Sequence, residues 1–376
     1  MRISSLNFGA IKTISSSNGG NFSKPNLVYD VDKISFSSKI QEQKELSQEA
    51  RQLSKEAYMA FARGKNIQKK SQSIVEKLPS ILTKTQNIQL EAQKKWLEIE
   101  NELEYAGEFK IRACADPFKN TQTVYDISSK KDKALVVEYK NGHKSRTIDK
   151  KPDFTVIVEN IGEKSETRRI FDTQTGQLIR IDYGFKESSS TSGKADVSCE
   201  FKDGQLSKYS TDVSFDSRVT VAKETFGFEN GALDKYSTNL TTSKNGFCAS
   251  DEEFWFEKDN LVNYFKNQKI KMGSFASSEE EYSFGNKPIR YIKNKNRVFG
   301  FVTTADKIFC YSDSKIQKAA LGLSADSDTR YIEKYFTFDE KERPQACYLT
   351  HQTNGTYEFD FDSDFNPIYD KLVWLK

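Results

Sequence analysis

The chain has 376 residues, enough for two or three domains at roughly 150 residues each. Apolar residues make up 36% and charged residues 30%, yet 27 Phe and 17 Tyr supply enough burial to exclude wholesale disorder. The 57 basic and 54 acidic side chains nearly cancel, which leaves no strong pull toward nucleic acid or an anionic membrane. His143 and His351 are the two histidines, so imidazole catalysis and His-rich metal sites are not expected.

Residues 1–25, the start of an N-terminal segment that runs to residue 37, are rich in Ser, Asn and Gly and contain no run of seven or more apolar residues, so a Sec leader is not expected. Residues 1–37 are expected to be irregular or disordered, and the compartment to be the cytoplasm or one reached by a non-Sec route. No window approaches 18 apolar residues, and no membrane span is expected. Five scattered cysteines, Cys114, Cys199, Cys248, Cys310 and Cys347, form no CxxC pair and leave an odd thiol in a monomer.

A helical segment is expected over 38–107. Ser38 and Gln41 have capping-box spacing. Leu46, Ala50, Leu53, Ala57, Ala60, Gly64, Ile67, Ser71, Ile74 and Leu78 then follow a 4-3-4-3 spacing, the signature of a heptad seam. Small residues make the seam thin, so its partner must approach closely. Pro79 should end or kink the helix, and a second apolar series from Ile81 to Leu103 runs to Gly107. A kinked helix or helical pair packed on its own chain is expected, with self-association through residues 46–78 as the alternative.

From about residue 120 to 376 the apolar period changes to two. The last aromatic before each turn falls at Tyr139, Phe171, Phe201, Phe228, Phe256, Phe284, Tyr311, Phe338 and Phe361, mostly 27 or 28 residues apart. Two residues earlier stand Val137, Arg169, Cys199, Phe226, Phe254, Tyr282, Phe309, Phe336 and Phe359. Residues i and i+2 share a strand face, so each aromatic-x-aromatic ending buries two large side chains just before the chain reverses. Turn signals follow, such as Asp203-Gly204, and an aliphatic residue returns at Leu178, Leu206, Leu233, Leu261, Ile289, Ile316 and Ile368. Phe226, Phe228, Phe254, Phe256, Phe336 and Phe338 are expected inward, with the intervening face solvated. The fold class is therefore α+β, a helical segment followed by a long antiparallel meander of hairpins. About 18 strands at roughly 4.8 Å would make a flat sheet about 85 Å wide, so curling or folding back is expected.

The unit aromatic-x-aromatic-Asp followed by Gly-x-Leu resembles the tyrosine-aspartate (YD) repeats of bacterial surface and toxin-shell proteins. The matching residues are Ile170-Phe171-Asp172 with Gly176-Gln177-Leu178, Phe336-Thr337-Phe338-Asp339 and Phe359-Asp360-Phe361-Asp362. Over about 130–376 the resemblance implies surface or secreted material and a β-shell without an active site.

Chemical motifs are few. Asp360, Asp362 and Asp364 have the spacing that opens a calcium loop, but Phe365 and Lys371 occupy positions that need Gly and Glu. Glu252-Glu253 and Glu279-Glu280-Glu281 suit a solvated strand edge better than a catalytic pair. No catalytic, cofactor or metal residue is nominated. Trp255, between inward Phe254 and Phe256, must point outward, either beneath another layer such as the helix or as an exposed contact for a partner. The expected function is a non-enzymatic interaction or structural protein presenting an extended β-repeat surface on a helical base to a protein or glycan. A secreted effector or enzyme with an unrecognised site and an outer-membrane-type β-barrel are the alternatives.

Overall fold

The computed structural model describes residues 36–104, 111–116, 121–127, 134–140, 143–189, 192–258, 260–298, 303–325, 330–349, 356–361 and 367–375. The chain divides into two units, 1–42 and 43–376. The second holds every strand and all of the helix beyond its first turns, and is the subject below.

One uninterrupted helix, α1, spans Phe36–Glu104, and Pro79 lies inside it. Pro79 therefore does not end the helix or divide it into a pair. Gly107 lies outside the described residues, as do residues 1–35. The strands begin earlier than residue 120: β1 (Ile111–Asp116), β2 (Thr121–Ile127), β3 (Ala134–Lys140), β4 (His143–Lys150), β5 (Phe154–Glu159), β6 (Thr167–Asp172), β7 (Leu178–Tyr183) and β8 (Lys186–Ser189). Longer strands follow: β9 (Ser192–Lys202), β10 (Gln205–Phe215), β11 (Val219–Glu229), β12 (Ala232–Ser243), β13 (Phe247–Glu257), β14 (Asn260–Lys271), β15 (Phe275–Phe284) and β16 (Pro288–Val298). The series ends with β17 (Thr303–Ser312), β18 (Lys315–Ala325), β19 (Arg330–Phe338), β20 (Pro344–Leu349), β21 (Thr356–Phe361) and β22 (Pro367–Leu375).

Strands β1–β20 form one antiparallel sheet in which each strand pairs with the next, β7 and β8 lying end to end along β9. Among the described residues β1 pairs only with β2 and β20 only with β19, so the sheet is not closed into a barrel. The ninth hairpin expected from sequence, β21–β22, leaves the meander and makes its own two-stranded sheet. Tight turns with positive φ reverse the chain where predicted, as at Asp203-Gly204 (φ 50° and 77°) and Asn230-Gly231 (51° and 80°). At two of the hairpins whose last aromatic is followed by Asp, that Asp fixes the turn. Asp172 accepts the backbone N–H groups of Gln174 and Thr175, and Asp339 those of Lys341 and Arg343. The Thr175 N–H holds the Asp172 carboxyl below its ordinary range, and that of Arg343 does the same for Asp339.

The register slips by one residue just after the turn in most hairpins, for example between Gly227 and Phe228 opposite Lys235 and Leu233. The extra residue lets both Leu233 and Tyr236 face α1. In the β15–β16 hairpin, Pro288 rather than Ile289 stands opposite Phe284, and Ile289 is exposed. The six nominated Phe are all buried. Tyr209, Phe226, Tyr236, Phe254, Tyr264, Tyr282, Tyr291 and Phe309 stand side by side on successive strands, with neighbouring ring centroids 4.7–6.0 Å apart. That spacing is favourable for aromatic pairs, so the rings form a continuous ladder beneath the helix.

The heptad seam packs on this ladder. Ser47 donates to the Glu342 carbonyl at 3.4 Å, Ser54 to the Ser314 carbonyl at 3.5 Å, and Phe61 meets Phe284 at 5.9 Å. Gln89 donates to the Gly176 carbonyl, and Lys95 pairs with Glu138. Successive helical heptads thus meet successive hairpins in reverse chain order. The physical match is one of length. Seven residues rise about 10.5 Å, and two strands span roughly 9.6 Å. Ala50, Ala57, Gly64, Ser71, Thr85 and Ala92 are buried at heptad spacing, small where the large rings need room. Residues 46–78 therefore pack on the sheet of their own chain, and among the described residues no second helix supplies the partner of the seam.

Charge follows the same step. Lys70 pairs with Glu224 at 2.7 Å, Arg63 with Glu252 at 2.6 Å and Glu49 with Lys307 at 2.7 Å. One rung is mismatched: Glu56 faces Glu280, and the Tyr282 hydroxyl lies 3.4 Å from each. Glu56→Lys is expected to stabilise the protein by about 0.5–1 kcal/mol, a gain that thermal melts should show shrinking in high salt.

A second periodic feature interrupts the strands themselves. Asp212, Asn239, Asn267, Asn294 and Gly322 have φ of 48–68° and recur every 27 or 28 residues, once in each even strand from β10 to β18. Residues that tolerate the left-handed conformation occupy all five positions.

Candidate interaction surface

The face away from the helix is not simply solvated, contrary to the expectation from alternation. Asp182, Ser198, Ser210, Thr225, Ser237, Glu253, Phe265, Glu281, Ile292, Ile308, Ala320 and Tyr335 are paired in register across successive strands, and all are buried. At one end the row is small and polar, in the middle it carries carboxylates, and at the other end it joins an apolar cluster with Ala305, Leu323 and Ile332.

The paired glutamates of the sequence are separated by this geometry. Glu252 faces the helix, where it binds Arg63 and accepts the Tyr264 hydroxyl at 2.7 Å, whereas Glu253 lies on the opposite face. In the second cluster Glu279 accepts from Asn267, Glu280 pairs with Lys266 at 3.5 Å, and Glu281 is buried beside Lys295 at 2.7 Å. Adjacent strand residues point to opposite faces, so Glu252 is separated from Glu253, and Glu280 from Glu279 and Glu281, which share the outer face.

Glu253 is completely buried and is the centre of the surface. Lys235 Nζ reaches Oε1 at 2.7 Å, the Trp255 indole N–H donates to the same oxygen, and the Ser250 hydroxyl donates to Oε2 at 3.2 Å. Ser237 donates at 3.4 Å, and the Gln268 amide reaches both oxygens at 2.6 and 3.0 Å in its better-fitting orientation. A buried carboxylate with this many donors is a fixed, preorganised group. The Trp255 ring meets it edge-on through that N–H, lies 5.0 Å from the Phe265 ring and 5.5 Å from Lys235 Nζ, and remains 36% exposed. Trp255 points outward as expected from the sequence, but helix α1 does not cover it.

Other outward carboxylates are held similarly. Asp182 is buried between Arg168 and Arg180, both at 2.7 Å, and their guanidinium groups stack on Phe215. Cys199 and Cys248 are free thiols, and burial pushes the Cys199 thiol up to about 12. His143 is exposed on β4, and His351 lies outside the described residues. Asp360 belongs to β21, while Asp362 and Asp364 also fall outside them. Among the described residues no group of three or more His, Cys, Asp or Glu is placed to hold a metal ion, and no helix is long and apolar enough to cross a membrane. The sequence matches no known family model, and no curated protein is similar to it.

Proposed function

We propose that the protein is a non-enzymatic scaffold that presents its outer β-face to a protein partner, with Trp255 as the principal contact. The supporting observation is the partly exposed indole held by its N–H on a buried carboxylate, at a register position where the flanking hairpins carry Gly227 and Ser283. A large aromatic fixed in place loses little freedom on binding, which is what a dominant contact residue requires. The helix contributes by stiffening the sheet, so that the outer face keeps one curvature. The resemblance to YD repeats fits this reading, since it too implies a β-surface without an active site.

Trp255→Ala tests it. About 1–2 kcal/mol of stability should be lost with the Phe265 contact, while proteins captured from native extract by the wild type should be missing from the variant and only partly restored by Trp255→Phe, which keeps a ring but loses the bond to Glu253. Identical capture by wild type and Trp255→Ala would remove Trp255 from the function.

A further inference from the structure

A trough of about 530 Å³ crosses the sheet from β12 to β16, along the row of left-handed residues. Its lining is amide, hydroxyl and carboxylate almost throughout, with Ala249 as the apolar member and Lys269 as the cation. Three rungs span or flank it. Asn239 Nδ2 donates to Asp251 at 2.7 Å, Asn267 to Glu279, and Asn294 to Asp306 at 2.7 Å. Each rung joins a residue to one 12 positions later on the next strand.

The backbone conformation does not by itself require these amides. Gly322 occupies the equivalent position in β18 and Asp212 that in β10, both outside the trough. Asparagine therefore coincides with the trough. Each carboxylate takes one amide N–H and so fixes the side chain, leaving the amide oxygen and second N–H of each rung to other partners. The rungs recur every two strands, about 9.6 Å apart.

We propose that this trough binds an extended neutral oligosaccharide. Alternating donors and acceptors match vicinal hydroxyl groups, which both give and accept hydrogen bonds. Asp251 and Glu279 repel a polyanion, and the lining gives an apolar peptide or lipid chain no surface to bury. A ligand of repeating polar units suits a site that itself repeats along one axis. The trough does not include Trp255 but shares Ser250 and Gln268 with the ligands of Glu253; absence of saccharide binding would leave the protein-partner reading untouched.

Affinity electrophoresis tests it, with the full chain run through gels containing xyloglucan, galactomannan, mixed-linkage β-glucan or dextran, and with dextran sulfate as the polyanion. At least one neutral polysaccharide should retard the wild type. Asn239→Gly/Asn267→Gly/Asn294→Gly should weaken that retardation at least tenfold, because glycine keeps the backbone conformation and removes the amide. Each single variant should give a smaller loss, which keeps the test valid if the triple variant folds poorly. Absence of retardation by every neutral polysaccharide, retardation by dextran sulfate alone, or retardation indifferent to the Asn substitutions would overturn the proposal.

Discussion

Phe254→Ala should destabilise the folded protein by about 3–5 kcal/mol. The ring is 1% exposed and lies 5.9 Å from Tyr236 and 4.7 Å from Tyr264, with the Arg63 guanidinium 5.4 Å above it. Both neighbours are fixed by hydroxyl bonds to Glu224 and Glu252, and those carboxylates are held by Lys70 and Arg63 of the helix. Such a site cannot collapse to fill the space left by the ring, so the loss should lie at the upper end for a cavity-forming change. Chemical denaturation of wild type and variant checks it, and a loss below 1 kcal/mol would show that the ladder does not carry the core.

The second large effect is alkaline. Tyr236, Tyr264, Tyr282, Tyr291 and Tyr311 are buried on the helix side of the sheet. Burial raises all five hydroxyl pKa values above the ordinary 10; Glu224 adds to the rise at Tyr236, Glu252 at Tyr264, and Glu280 at Tyr282 and Tyr291. Below pH 10 both folded and unfolded states keep these protons, and stability is unaffected. Above it the unfolded chain releases them while the folded chain retains them, so stability falls as pH rises. The limiting slope is about 1.4 kcal/mol per pH unit for each tyrosine. Tyrosinate absorbance should therefore appear late and together with loss of circular dichroism. Tyr282→Phe should reduce the slope. Independent ionisation near pH 10 without unfolding would contradict the buried ladder.

Much of this was legible in the sequence. The aromatic-x-aromatic spacing placed Phe226, Phe228, Phe254, Phe256, Phe336 and Phe338 inward because strand alternation leaves no other face for them. The helical seam was legible as a period but not as a partner. A heptad rises by nearly the width of a β-hairpin, so the same 4-3-4-3 spacing serves a second helix or a meander equally well. Pro79 misled because an α-helix packed along a long sheet can lose one hydrogen bond and continue. On the outer face, Ser198, Ser210, Thr225 and Ser237 looked solvated, yet small side chains between longer neighbours become buried with no second layer over them among the described residues. A findable signal was missed in the Asp, Asn and Gly residues recurring in phase at 212, 239, 267, 294 and 322, which mark the left-handed row. The direction of Trp255 followed from alternation, whereas its carboxylate support, drawn from residues 235, 237, 250, 253 and 268, depends on cross-strand register that no local pattern encodes.

The central claim is that one helix reads one sheet at one heptad per hairpin within a single chain. Zero-length carbodiimide coupling of the wild-type protein, followed by mass spectrometry of the monomer band, tests it without any mutation. Lys70–Glu224 and Glu49–Lys307 should couple within one chain, since both pairs lie at 2.7 Å. Coupling displaced by one hairpin, such as Lys70 to Glu252, or helix-to-helix links between chains in place of these, would contradict it.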